Sequence, residues 1–169
     1  MEANDYTWLR SQLRRISRRW PPVYKALANA KVKYTGDNKR KKWLYKCADC
    51  EQLFDGKDVS VDHIEPVGTL LKKSDIADFV EKLFCSADKL QVLCSNCHDL
   101  KTYMERYDVD RQSAIVEKKV IAFSKLSVAE QKNILQNECG YDNITQFSNA
   151  EKRKNAYRNW LKWKETTGE

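Results

Sequence analysis

The chain has 169 residues, suited to one domain with a small appendage, and at 41% apolar and 33% charged it can build a core and stay solvated. It holds no run of about 18 apolar residues, which excludes a membrane-spanning helix, and its arginine-bearing start lacks a signal-peptide core, so a cytoplasmic chain is expected. The net charge of +7 is uneven: residues 1–46 carry 13 Lys/Arg against three acids, while the remainder carries 18 against 21. A basic arm on a near-neutral body favours a polyanionic partner over a membrane.

Trp8 to Trp20 is predicted to be a helix, with Leu9, Leu13, Ile16 and Trp20 in one apolar stripe. Arg10, Arg14 and Arg18 recur every four residues on another face, joined by Arg15 and Arg19. Pro21-Pro22 ends this helix, and a second is expected from Val23 to about Lys33. A turn at Thr35–Asn38 leads into the basic run Lys39-Arg40-Lys41-Lys42. These cations and the five arginines are the candidate phosphate contacts of a polyanionic partner.

Strands are expected at Trp43–Lys46, Val59–Val61 and Leu90–Leu93. Helices are expected from Ser74 to about Phe84 and from Ser95 to about Tyr107, each with its serine as N-cap. Ser127-x-x-Glu130 and Ser148-x-x-Glu151 have the form of capping boxes before two further helices, the first ending at Cys139-Gly140 and the second near Lys164. The fold class expected is α+β, mainly helical. It divides into a basic helical arm (1–42), a core (43–107) and a helical C-terminal extension packed on that core (108–169). The extension is either a buttress or, through Lys152, Arg153, Lys154 and Arg158, a second DNA-contacting element.

The chemistry is concentrated in two Cys-x-x-Cys pairs, Cys47/Cys50 and Cys94/Cys97, and in the only two histidines. Each pair offers two sulfurs on one tight turn, and two such pairs in a chain without an export signal point to a tetrahedral structural zinc site. The 43 residues between the pairs make this a staple joining distant segments. Cys85 and Cys139 stand alone and are expected to be buried hydrophobes. His98 adjoins Cys97 and is an awkward alternative zinc ligand.

The cysteines therefore leave Asp62, His63 and His98 over. An imidazole titrating near neutrality suits a general base. A carboxylate and an imidazole, Asp62 and His98, can hold one divalent ion while leaving positions open for water and phosphate. Successive strand residues face opposite sides, so Asp62 and His63 are expected to divide the work: one on the ion, the other towards the nucleophile.

Cys47-x2-Cys50, Val61-Asp62-His63-Ile64-Glu65-Pro66 and Leu90-Gln91-Val92-Leu93-Cys94-x2-Cys97-His98-x2-Lys101-Thr102 resemble the HNH endonucleases of the ββα-metal, or His-Me finger, fold. The resemblance covers about residues 43–105. Arg18-Arg19-Trp20-Pro21-Pro22 and Leu83-Phe84-Cys85 extend it towards small HNH proteins of tailed phages. It implies that His63 is the general base and that Asp62 and His98 are ligands of a single catalytic Mg2+ or Mn2+. It further implies that the four cysteines are the structural Zn2+ site of the subfamily that has one. The activity implied is hydrolysis of DNA to 5′-phosphate and 3′-hydroxyl ends, in a host cytoplasm, beside phage packaging or other DNA-processing proteins.

One position departs from the pattern. The family's middle asparagine braces the loop that orients the base, and Lys89 stands there; lysine cannot accept a hydrogen bond. A catalytically silent zinc-dependent DNA-binding module is therefore the alternative, and a zinc-stabilised protein-interaction domain a third reading. Gly68–Phe84 is long for a hairpin connection and is expected to hold a packing helix or a DNA-facing loop.

Overall fold

The computed structural model describes residues 2–167. The chain is α+β, with two small sheets among helices, and it divides into two compact units, 1–99 and 100–169.

In the first unit, α1 (Ala3–Ser17) presents Leu9 and Leu13 to a core of Tyr6, Val67, Leu70, Phe79 and Leu83. The predicted stripe is shorter than expected: Ile16 is exposed and Trp20 lies beyond the helix, because the chain turns at Arg18-Arg19. The prolines then begin α2 (Pro21–Asn29), where a missing N–H and a preset φ cost nothing. This helix stops four residues earlier than its pattern suggested. Lys31–Lys33 is instead β1, paired antiparallel with β2 (Trp43–Lys46), which in turn pairs with β3 (Leu53–Phe54). Sheet hydrogen bonding outweighs the weak helical preference of a Lys-Val-Lys segment.

The second sheet is a hairpin-like pair, β4 (Val59–His63) against β5 (Leu90–Cys94), with Asp62 opposite Gln91 and His63 opposite Leu90. Between these strands lies α3 (Ile76–Leu83), preceded by a 3-10 turn at Lys73–Asp75. Ser74 is not the expected N-cap. Asp75 takes the turn's backbone N–H groups of Leu71 and Lys72 on its carboxylate, which lies below its usual range for that reason. The expected packing helix is thus present, burying Phe79 and Leu83. Phe79 is 1% exposed. Phe79→Ala should destabilise this unit by about 3–5 kcal/mol in urea denaturation, through lost transfer energy and a residual cavity. A loss below about 1 kcal/mol would mean the site collapses freely and the core assignment is wrong.

β5 runs straight into α4 (Ser95–Tyr107). Ser95 again differs from expectation: its hydroxyl donates to the Asp58 carbonyl, 3.3 Å away, instead of capping the helix.

The second unit contains α5 (Arg111–Ser124), α6 (Val128–Asn137) and α7 (Ala150–Thr167). Ser127 and Glu130 form the predicted reciprocal capping box. At α7 the cap is Asn149, whose side chain accepts the Lys152 N–H at 2.8 Å, one residue after the expected Ser148. Val116, Val120 and Leu161 form one buried cluster, and Phe123, Leu135 and Ala156 another. Arg153 is buried and donates to the Gln131 side chain and to the Phe147 and Ser148 carbonyls. Arg158 grips Glu117 with two nitrogens, and Lys154 pairs with Glu151 at 2.6 Å. Three of the four cations that suggested a second DNA-contacting element are therefore committed within this unit.

Candidate functional site

The four cysteines converge. Their sulfurs all lie within 4.8 Å of one another, and Cys50 Sγ stands 4.0 Å from Cys94 Sγ. A tetrahedral zinc with Zn–S bonds near 2.3 Å sets its sulfurs about 3.8 Å apart, so the cluster is of a size to hold a metal such as zinc. The two pairs are built differently. Cys47 and Cys50 share a turn after β2, closed by the Glu51 N–H donating to the Cys47 carbonyl at 3.0 Å. Glu51 adopts φ 60, a left-handed conformation uncommon outside glycine. Cys94 ends β5 and Cys97 lies in the first turn of α4, so the second pair spans a strand–helix junction.

The electrostatics fit a cation site. Burial disfavours the Cys47 thiolate, but backbone hydrogen bonds from Cys94, Cys50 and Asp49 outweigh it and bring the thiol down to about 7. Burial pushes the Cys97 thiol far up, and Asp49 and the neighbouring sulfurs push it further. Three of the four sulfurs belong to buried residues, and a positive ion among them would favour their thiolate forms. By contrast, Cys85 and Cys139 are isolated thiols raised by burial; Cys85 is buried as expected, whereas Cys139 is only half-buried.

His63 ends β4, half-buried, and its ring is oriented by a group that sequence inspection missed. Nε2 lies 3.1 Å from the Leu83 carbonyl at the end of α3. A carbonyl only accepts, so Nε2 carries the proton, and on a neutral ring the accepting lone pair is then on Nδ1. The end of α3 is itself tied down: Trp20 Nε1 donates to the Cys85 carbonyl at 2.9 Å, and the Trp20 and Phe84 rings meet edge to face at 5.5 Å. The amphipathic pattern of α3 was visible in the sequence, whereas the destination of its last carbonyl was not.

Lys89 contributes through its backbone. Its carbonyl accepts the Ile64 N–H at 2.9 Å, a bond indifferent to the side chain, while the lysine side chain is exposed. The loop after His63 is thus held by main-chain hydrogen bonding where an asparagine was expected. Asp62 precedes His63 on the strand and points to the opposite face; His98 lies one residue beyond Cys97 in α4. Both are half-buried and engaged in interactions with protein groups.

His63 opens on a cleft of about 660 Å³ whose walls include Glu65, Asp78, Glu81, Asp88, Lys82 and Lys89. Lys82 is paired with Asp78 at 2.9 Å. Four carboxylates against two ammonium groups leave this cleft with a formal charge of −2, unfavourable to a phosphate unless a cation accompanies it.

The proposed phosphate contacts divide into engaged and available cations. Arg14 reaches the Gly68 carbonyl at 3.4 Å and lies over the Phe79 ring, and Lys41 is paired with Asp55 at 2.6 Å. Arg15, Arg18, Arg19, Lys39, Arg40 and Lys42 are exposed, and Arg10 is half-buried. No helix among the described residues is long and apolar enough to cross a membrane. Comparison with known proteins brings no matching family model, no matching curated protein and no matching solved structure.

Proposed function

We propose that this chain is a metal-dependent DNA endonuclease of the HNH type, with His63 as the base that takes a proton from the attacking water. The observation that carries the reading is the tautomer imposed on His63 by the Leu83 carbonyl, on a strand whose preceding residue is a carboxylate. Fixing the proton on one ring nitrogen places the accepting lone pair on the other, which is the tautomer a histidine general base requires. Asp62 and His98 are the residues that would hold the catalytic Mg2+ or Mn2+, an oxygen and a nitrogen donor suited to such an ion. When bound, the ion would offset charge developing on the phosphate.

The protein's own groups do the remaining work. His63 takes the water proton on Nδ1, and the resulting imidazolium is stabilised by the hydrogen bond to Leu83. The four cysteines, holding zinc, keep the β5–α4 junction and hence His98 in place. Exposed cations of α1 and the Lys39–Lys42 loop supply affinity for the DNA backbone.

Supercoiled plasmid tests the reading. Zinc-loaded protein should nick it when Mg2+ or Mn2+ is added and leave it intact without either ion. Nicking should precede linear product, since one active site cuts one strand at a time. The acidic cleft and Lys89 favour the second reading, a silent zinc-dependent DNA-binding module. That reading prevails if the protein retards plasmid on a gel yet cuts it with neither ion.

A further inference from the structure

The three-stranded sheet carries a surface that the endonuclease reading leaves unused. In β2, Trp43 and Tyr45 share one face by strand alternation. The register places Lys33 directly opposite Trp43 and Lys31 opposite Tyr45, so both lysines stand on that same face. Trp43 is 48% exposed, and both lysines are exposed as well. The Tyr45 ring packs against Gly56, where an added methyl group would come within 3.1 Å of it, and Phe54, opposite Tyr45, packs against the cysteine cluster. The open part of this face is therefore its Trp43 end, with Lys31 and Lys33 exposed beside it.

Charge decides what this face can take. Residues 31–46 hold seven Lys/Arg against one acid, Asp37. Even with Lys41 and Lys46 neutralised by Asp55 and Glu51, the segment is strongly cationic around an exposed indole. The Lys31 ammonium lies 5.7 Å from the Trp43 ring centroid. An exposed cation–π contact at that distance is weak and can yield to a stacked base, after which the lysine is placed for the adjoining phosphate.

From this we infer that the Lys31–Lys33–Trp43 face of the β1–β2–β3 sheet is a stacking platform for an unpaired DNA strand, one base lying on Trp43 and the flanking phosphates on Lys31 and Lys33. Bases within a duplex have both faces covered by their neighbours, so only an unpaired or flipped base can use the indole. The platform rests on the DNA-processing reading and narrows its substrate to DNA with an unpaired stretch, such as a fork, gap or displaced strand.

The test is fluorescence anisotropy with labelled oligo-dT, oligo-U and a duplex of equal length, using the full-length zinc-loaded protein with no Mg2+ or Mn2+ added. Oligo-dT should bind more tightly than duplex. Trp43→Ala should weaken oligo-dT binding by about tenfold, the ~1.4 kcal/mol that falls within the range for one stacked base. Duplex affinity should stay within about twofold, and Trp43→Phe should retain most of the oligo-dT affinity. Lys31→Ala and Lys33→Ala should each flatten the salt dependence of oligo-dT binding. Zinc content and circular dichroism confirm that each variant is folded. The platform is overturned if folded Trp43→Ala binds oligo-dT as the wild type does, or loses duplex affinity equally. Tighter binding of oligo-U than oligo-dT overturns its assignment to DNA. Because no step here requires cleavage, a failed platform leaves the plasmid result standing, and an inactive nuclease leaves stacking measurable.

Discussion

Cys94→Ser is expected to release zinc and unfold the first unit, the largest stability effect of any single substitution in this chain. Cys47, Leu93, Cys94 and Cys97 form a buried core patch in which three of the four members are cysteines. Without a metal, this patch offers little apolar area, and burial holds the Cys97 thiol well above its usual range. With zinc, the binding free energy of a structural site, of order 10 kcal/mol, is folding free energy. That is comparable with the net stability of a typical domain, about 5–15 kcal/mol. Serine keeps the size and removes the ligand, so the loss reports on metal binding and not on packing. Metal analysis should find one zinc per chain in the wild type and little in Cys94→Ser, with a fall in melting temperature. Cys139→Ser, in the second unit, should keep its zinc. A Cys94→Ser protein with full zinc and an unshifted melting temperature would end the four-cysteine assignment.

His63→Ala is the second substitution with a large effect, this time on rate. A positioned general base contributes typically 10²–10⁴-fold, so cleavage of plasmid in Mg2+ should fall by about that factor. DNA affinity should hold, since His63 lines an acidic cleft and is not among the proposed phosphate contacts. Zinc content should hold too, because His63 is not among the four clustered sulfurs. Cleavage by His63→Ala within about threefold of wild type would remove His63 from the chemistry, since no general base contributes so little. Losing affinity and rate together would instead make it a structural residue.

The orientation of His63 shows where sequence reasoning ended. The missing asparagine at position 89 raised doubt about whether the base could be braced, because only side chains are visible in a sequence. The Leu83 carbonyl instead holds the His63 ring, and the Lys89 carbonyl holds the following residue. Backbone groups are the same at every position, so their partners leave no signature in composition or spacing. The second helix failed for a related reason. Lys31–Lys33 continues a helical pattern locally, and only pairing with Trp43–Tyr45 makes it a strand.

Spacing and periodicity by themselves determined the α+β class, the paired cysteines as one metal-sized cluster, strand β2 residue for residue, the Ser127 capping box and the uneven charge. Most are set within a few residues; the cysteine cluster joins distant segments, but the need of one tetrahedral ion for four sulfurs makes it legible from the two pair spacings. Tertiary structure alone decided that α3 presents a carbonyl to His63, that Arg153 and Arg158 are spent inside the second unit, and that Trp43 stands beside two lysines on an open sheet face. Each of those depends on residues brought together from distant points in the chain, where the energy of packing and pairing outweighs local preference.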